Sequence, residues 1–190
     1  FKKKFDNLLI VPAMIFSGNH VTKDIPRILI NLKKNYKISP KVFVISPLLK
    51  SKKFFNIIQN NLLKNLEIKD KQNKGLIIVA SNTTSSKTKN DINLLTKKIA
   101  KKNKISFYKK ILITLNKENL KKNLKNLSQK YSSFIVIPLF LFRGNLLKNL
   151  ISVIKDINKE NKNKLFLCNH LRNYKEIYNV INNLITSKIT

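Results

Sequence analysis

The sequence predicts an α/β fold made of two tandem, related repeats, each a four-stranded parallel sheet flanked by helices, with the first repeat incomplete. Three observations predict it. Short apolar runs alternate with helical patterns along all 190 residues, the mark of parallel strands joined by crossover helices. The run Val-Pro-Ala-Met-Ile-Phe-Ser-Gly-Asn-His at 11–20 recurs as Ile-Pro-Leu-Phe-Leu-Phe-Arg-Gly-Asn-Leu at 137–146, so the chain carries an internal duplication. Setting Gly75, where the second copy opens, back by the same offset passes upstream of Phe1. Residues 1–70 therefore read as the C-terminal half of a first, truncated repeat, and residues 71–190 as a complete second repeat.

Each element follows from its residues. Leu8 to Met14 reads as a buried strand. Thr22 is a candidate helix N-cap, with Asp24 in the first turn, Pro26 where no intrahelical N–H is yet needed, and Ile25, Ile28, Leu29 and Leu32 as one apolar stripe. Val42 to Ser46 is a second strand, and Phe54, Ile58, Leu62 and Leu66 mark a second helix by their four-residue spacing. The polar stretch Glu67 to Lys74 is a linker. In the second copy, strands at 76–80, 105–115, 134–140 and 165–168 alternate with four helices. These run over 88–101, through Leu120, Leu124, Leu127 and Tyr131, through Leu147, Leu150, Ile151 and Ile154, and through Ile177, Val180, Ile181 and Leu184. Gly18 and Gly144, two of only three glycines, fall at matched positions where a turn leaving a strand calls for permissive dihedrals.

Composition narrows the class. With 43% apolar residues the chain buries a proper core. Its longest apolar stretches, 8–16 and 134–142, are nine residues long and interrupted by proline, far short of the ~20 that span a bilayer. The opening Phe-Lys-Lys-Lys-Phe-Asp lacks the pattern of a signal peptide. Cys168 is the sole cysteine, which excludes an internal disulfide and a thiolate metal cluster. The net charge of +30 raises the prospect of a nucleic-acid partner. Yet only three of the basic residues are Arg (Arg27, Arg143 and Arg172), and the lysines are spread through nearly every helix. That is the residue usage of an AT-rich genome and of a solvated surface rather than of a nucleic-acid site.

One residue breaks the symmetry of the duplication: His20 stands opposite Leu146. His20 follows a strand's carboxyl end and precedes a helix, where open α/β sheets bind ligands. An imidazole there suits a borderline metal or a proton transfer. Asp24, four residues on, is placed to orient the ring, against the plainer reading that it favours a helix N-terminus. Ser81-Asn82-Thr83-Thr84-Ser85-Ser86 follows another strand and offers hydroxyls and N–H groups to an anion, although a helix-capping run is the simpler role. His170, after the last strand, reads as a loop residue. There is no phosphate-binding glycine loop, nucleophile elbow or HExxH motif.

The segment Val-Pro-Ala-Met-Ile-Phe-Ser-Gly-Asn-His-Val-Thr-Lys-Asp-Ile-Pro at 11–26 resembles the sirohydrochlorin chelatases, in their long two-repeat form. Ile-Pro-Leu-Phe-Leu-Phe-Arg-Gly at 137–144 and Leu-Ile-Ile-Val-Ala-Ser-Asn-Thr-Thr-Ser-Ser at 76–86 extend the likeness. The resemblance implies tandem chelatase-like repeats that insert ferrous iron or cobalt, as substrate metal, into the polycarboxylate tetrapyrrole sirohydrochlorin, for sirohaem or cobalamin. No permanently bound cofactor is implied. Carried over, His20 is the metal-contacting and catalytic histidine, and Ser17, Gly18, Asn19, Asp24, Ser81 and Asn82 bind substrate. Ser81 stands where a histidine would be in the second copy, a half that commonly lacks it; the partner of His20 belongs to the Gly-His-Gly-Ser turn of the first half, upstream of Phe1, so the truncation bears on activity. The expected partners are tetrapyrrole and divalent metal, with no membrane, and with a homodimer through the sheet edge that truncation exposes. The expected location is the plastid stroma or the cytoplasm of an AT-rich bacterium. The competing classes are a basic nucleic-acid or ribosome-associated module and a degenerate, purely structural half-enzyme.

Overall fold

A computed structural model describes residues 6–36, 40–66, 74–128, 133–160, 165–171 and 175–189. The order is β1 (Asn7–Ile10), α1 (Ile25–Tyr36), β2 (Lys41–Val44), α2 (Lys52–Leu66), β3 (Lys74–Ser81), α3 (Ser86–Lys102), β4 (Tyr108–Ile113), α4 (Lys117–Ser128), β5 (Ser133–Pro138), α5 (Asn145–Glu160), β6 (Leu165–Leu167) and α6 (Glu176–Ile189). β1 and β2 pair in parallel as a small first sheet, and a second sheet runs β4-β3-β5-β6, parallel throughout. The α/β class and the duplication are thus present, with the second sheet four-stranded and the first reduced to two strands.

β3 explains the layering. Seven successive residues, Lys74 to Ala80, are buried, as expected of a central parallel strand covered on both faces. Leu76, Ile78 and Ala80 face a core with Ile92 and Ile99 of α3, Ile177 and Val180 of α6, and Phe54 and Ile58 of α2. Ile77 and Val79 point the other way, against Leu124 of α4 and Leu150 and Ile154 of α5. This is the alternation that a strand's period of two imposes. α2 belongs to the first unit yet packs over the second sheet, so the two units share one hydrophobic core.

Several boundaries differ from the sequence reading, each for a physical reason. β1 stops at Ile10 rather than Met14, because Pro12 has no N–H for the ladder and its carbonyl instead accepts from Met14 N in a turn. β4 is confined to 108–113 and forms a sheet edge; Lys110 there donates to the carbonyl of Lys89. Thr22 is not an N-cap. The chain is already helical at His20, and the Thr22 hydroxyl donates back to Gly18 O at 3.2 Å. Gly18 and Gly144 have no positive φ and open space where a Cβ would stand, so neither turn demands glycine. The demanding glycine is Gly75, where a Cβ would run into the Phe134 ring, itself packed edge-on against Phe107 at 5.8 Å. Most of the expected linker, Glu67 to Gln72 and Asn73, lies outside the described residues, as does Tyr131; Lys74 is the first residue of β3.

The α1 stripe exists but is poorly covered: Ile28 and Leu32 are 53% and 42% exposed. In the second unit, α5 buries its stripe in a cluster to which β3, β4 and α4 contribute. The first unit has no counterpart of those elements among the described residues.

Candidate active site

The second sheet has its topological switch point between β3 and β5. The crossover after β3 puts α3 on one face and leads outward to β4; the next puts α4 on the other face and returns to β5. A crevice opens beyond the carboxyl ends of such strands. Here it is a cleft of about 840 Å3. Its floor is the end of β3 and the turn Ser81–Thr84, one wall is the loop Leu139–Phe142 with Gly144, and the facing wall is the first unit, from Ala13–Phe16 to Asp24. Residues of both duplicated apolar turns thus line one cleft.

His20 and Asp24 meet at this cleft. His20 Nδ1 lies 2.6 Å from Asp24 Oδ2. A carboxylate only accepts, so the contact is a hydrogen bond when Nδ1 carries the proton, the arrangement that puts the lone pair of a neutral ring on Nε2. The side chain is 74% exposed, and Asp24 Oδ1 is 3.9 Å from Arg27 Nη2. Between them the backbone forms a π turn over His20–Asp24, closed by Ile25 N–H donating to His20 O. The preceding residue ties the units together, since Asn19 Nδ2 donates to Thr84 Oγ1 at 3.1 Å.

Gly18, Asn19, His20, Asp24, Ser81 and Asn82 all line the cleft, and Ser17 does not. The serine- and threonine-rich turn satisfies itself. Asn82 Oδ1 accepts from Thr83 N, Thr83 Oγ1 accepts from Ser85 N, and Ser85 Oγ accepts from Thr88 N as the N-cap of α3. His170 sits in the loop after β6 and is not among the lining residues. Sequence reasoning missed the aromatic and aliphatic wall of Phe16, Phe140, Leu141 and Phe142, the last ring 60% exposed. The signal was present in the repeat itself, since a turn that matches a candidate site turn is a candidate to face it. Among the described residues no three His, Cys, Asp or Glu side chains group to hold a metal, and no helix is long and apolar enough to cross a membrane.

Two parallel units that meet at a cleft beyond their strand ends, one of them bringing an imidazole to it, define a two-repeat parallel α/β protein with its site between the repeats. The chain belongs to the CbiX family, which it matches over residues 1–65 and 75–188. Among solved structures it is similar to SirB from Bacillus subtilis with Fe3+, with a TM-score of 0.75 and 13% identity over 96% of this chain and 71% of that one. It is also similar to the sirohydrochlorin chelatase SirB from Bacillus subtilis subspecies spizizenii in complex with cobalt, at 0.71 and 14% over 96% and 69%. A third is CbiX, described as the terminal enzyme of sirohaem biosynthesis in denitrifying bacteria, at 0.69 and 13% over 97% and 77%. At such identities these likenesses speak to the fold. No curated protein matches the sequence.

Proposed function

We propose that the chain is a sirohydrochlorin metal chelatase that inserts ferrous iron or cobalt into the tetrapyrrole, working between a partial first repeat at 1–70 and a complete second repeat at 71–190. The observation that carries this reading is His20, at the rim of a cleft between duplicated turns, with Nδ1 engaged by Asp24 and Nε2 free to act. Insertion requires that pyrrole protons leave and that a hydrated metal shed water and approach the ring. An imidazole nitrogen with an available lone pair serves either task, as a transient ligand or as a base. A flat, apolar macrocycle finds a matching wall in Phe16, Phe140 and Phe142. Its peripheral carboxylates meet Lys23, the side chains of Asn19, Ser81 and Asn82, and the backbone at Gly18.

The test is the absorbance change of sirohydrochlorin on metal uptake, with cobalt or ferrous iron, in the presence of the purified chain carrying whatever residues precede Phe1 in its gene. Metal uptake faster than the protein-free rate is expected, and His20→Ala should return it to that rate with the circular dichroism spectrum unchanged. A wild-type chain no faster than free solution, or a His20→Ala chain as fast as wild type, overturns the proposal.

A further inference from the structure

The two repeats differ in spacing at one place. Upstream of it Gly18 pairs with Gly144 and His20 with Leu146, an offset of 126; downstream the stripe Ile25, Ile28, Leu29, Leu32 pairs with Leu150, Val153, Ile154, Ile157, an offset of 125. The first copy thus holds one extra residue between His20 and Ile25. The structure shows where it went: α5 is regular α-helix from Asn145, whereas the first copy passes through the π turn at His20–Asp24, with its five-residue bond from Ile25 N to His20 O. A single wider turn absorbs one residue and leaves the facing of the helix on either side nearly unchanged. Pro26, which has no N–H to give the preceding turn, fits the same break in the ladder.

The consequence lies at the fourth position. In α5 the residue four beyond Leu146 is Leu150, fully buried in the core. In the first copy the matching stripe position is the half-buried Ile25, five beyond His20, and the fourth position falls to Asp24, whose Oδ2 lies 2.6 Å from Nδ1. We propose that the inserted residue is what gives His20 a carboxylate partner: Asp24 is a positioning residue that keeps the neutral ring protonated on Nδ1, leaving the Nε2 lone pair for the cleft. Nε2 has no hydrogen-bond partner among the described residues. The role of that lone pair toward a metal rests on the function proposed above; the pairing and the tautomer do not.

The experiment reads the tautomer directly, by long-range nitrogen–proton correlation on 15N-histidine-labelled chain above neutral pH. Wild type should show His20 with a protonated Nδ1. Asp24→Asn keeps an acceptor oxygen and should keep that pattern, whereas Asp24→Ala should lose it to the Nε2-protonated form that predominates in free imidazole side chains. Deleting Asp24 together with Pro26→Ala should make the helix regular and lose the pattern while circular dichroism shows an intact fold. Conversely, Leu146→His with an aspartate inserted directly before Leu150 should create a second Nδ1-protonated histidine. A wild-type ring protonated on Nε2, or an unchanged pattern in Asp24→Ala, overturns the proposal. Cobalt ion alone supplies the separate arm: its line broadening at His20 should need about 10- to 100-fold more metal in Asp24→Ala. Absence of cobalt broadening in wild type would count against the chelatase reading and leave the tautomer result standing.

Discussion

Phe54→Ala tests whether the two units are one cooperative body. Phe54 lies on α2 of the first unit, has no exposed surface, and sits in the core that includes Leu76 and Ile78 of β3 and Ile135 and Ile137 of β5. Truncating such a ring costs about 3–5 kcal/mol, by lost transfer energy and the cavity left behind. With an unfolding entropy of about 2.1 cal/mol/K per residue, this chain should unfold with roughly 0.4 kcal/mol/K, so the melting temperature should fall by about 8–12 °C. Thermal circular dichroism measures that shift. Hydrogen exchange at the β3 amides tests its cooperativity: Leu76 and Ile78 should lose protection in step with α2. If α2 amides open while β3 exchange stays at the wild-type rate, or if two separate melts appear, the shared-core argument fails.

Other outcomes follow from single sites. Gly75→Ala should destabilise by about 1–3 kcal/mol in urea unfolding, the usual cost of overpacking. Phe134→Leu in that background should cost less than it does alone; strict additivity would show that the ring is not the obstacle. Cys168 is buried, which pushes its thiol up to about 12, so a thiol reagent near neutral pH should label the native chain negligibly and the urea-unfolded chain once. Glu160 reaches from α5 to Lys125 at 2.8 Å and Lys121 at 2.9 Å on α4, and their hydrogen bonds, Lys125 first, lower its carboxyl to about 2. A depressed carboxylate stabilises fully above its unfolded value, near 4.5, and loses the effect as pH falls toward 2. The small melting-temperature gap between wild type and Glu160→Gln should therefore be flat at neutral pH and close on acidification; a gap that persists at low pH refutes the clasp. His20→Ala should abolish metal uptake by the tetrapyrrole without lowering the melting temperature, because the side chain is largely exposed.

Periodicity made the elements legible, since burial imposes a period of two or 3.6 on the residues themselves. The ends were less so, because they depend on where a ladder bond or a cap is lost: Pro12 shortens β1, and the helix entry at His20 displaces the expected cap at Thr22. His20 could be found because a duplication supplies its own control, a leucine in the same place. The one-residue change of offset between the copies was there in the sequence, but that the extra residue is wound into a π turn shows only in the structure, because a loop could have absorbed it equally well. Gly75 was missed for a similar reason: its constraint comes from Phe134 on the neighbouring strand, not from its own dihedrals.

The seam formed by Phe54 and Ile58 against Ile78 and Ile137 has a consequence for how the cleft can work. Close-packed interiors do not stretch by degrees, so the shared core opposes any hinging of one repeat on the other. A visitor enters a slot whose gauge is already cut, and the freedom left to greet it belongs to rim side chains such as Phe142 and His20.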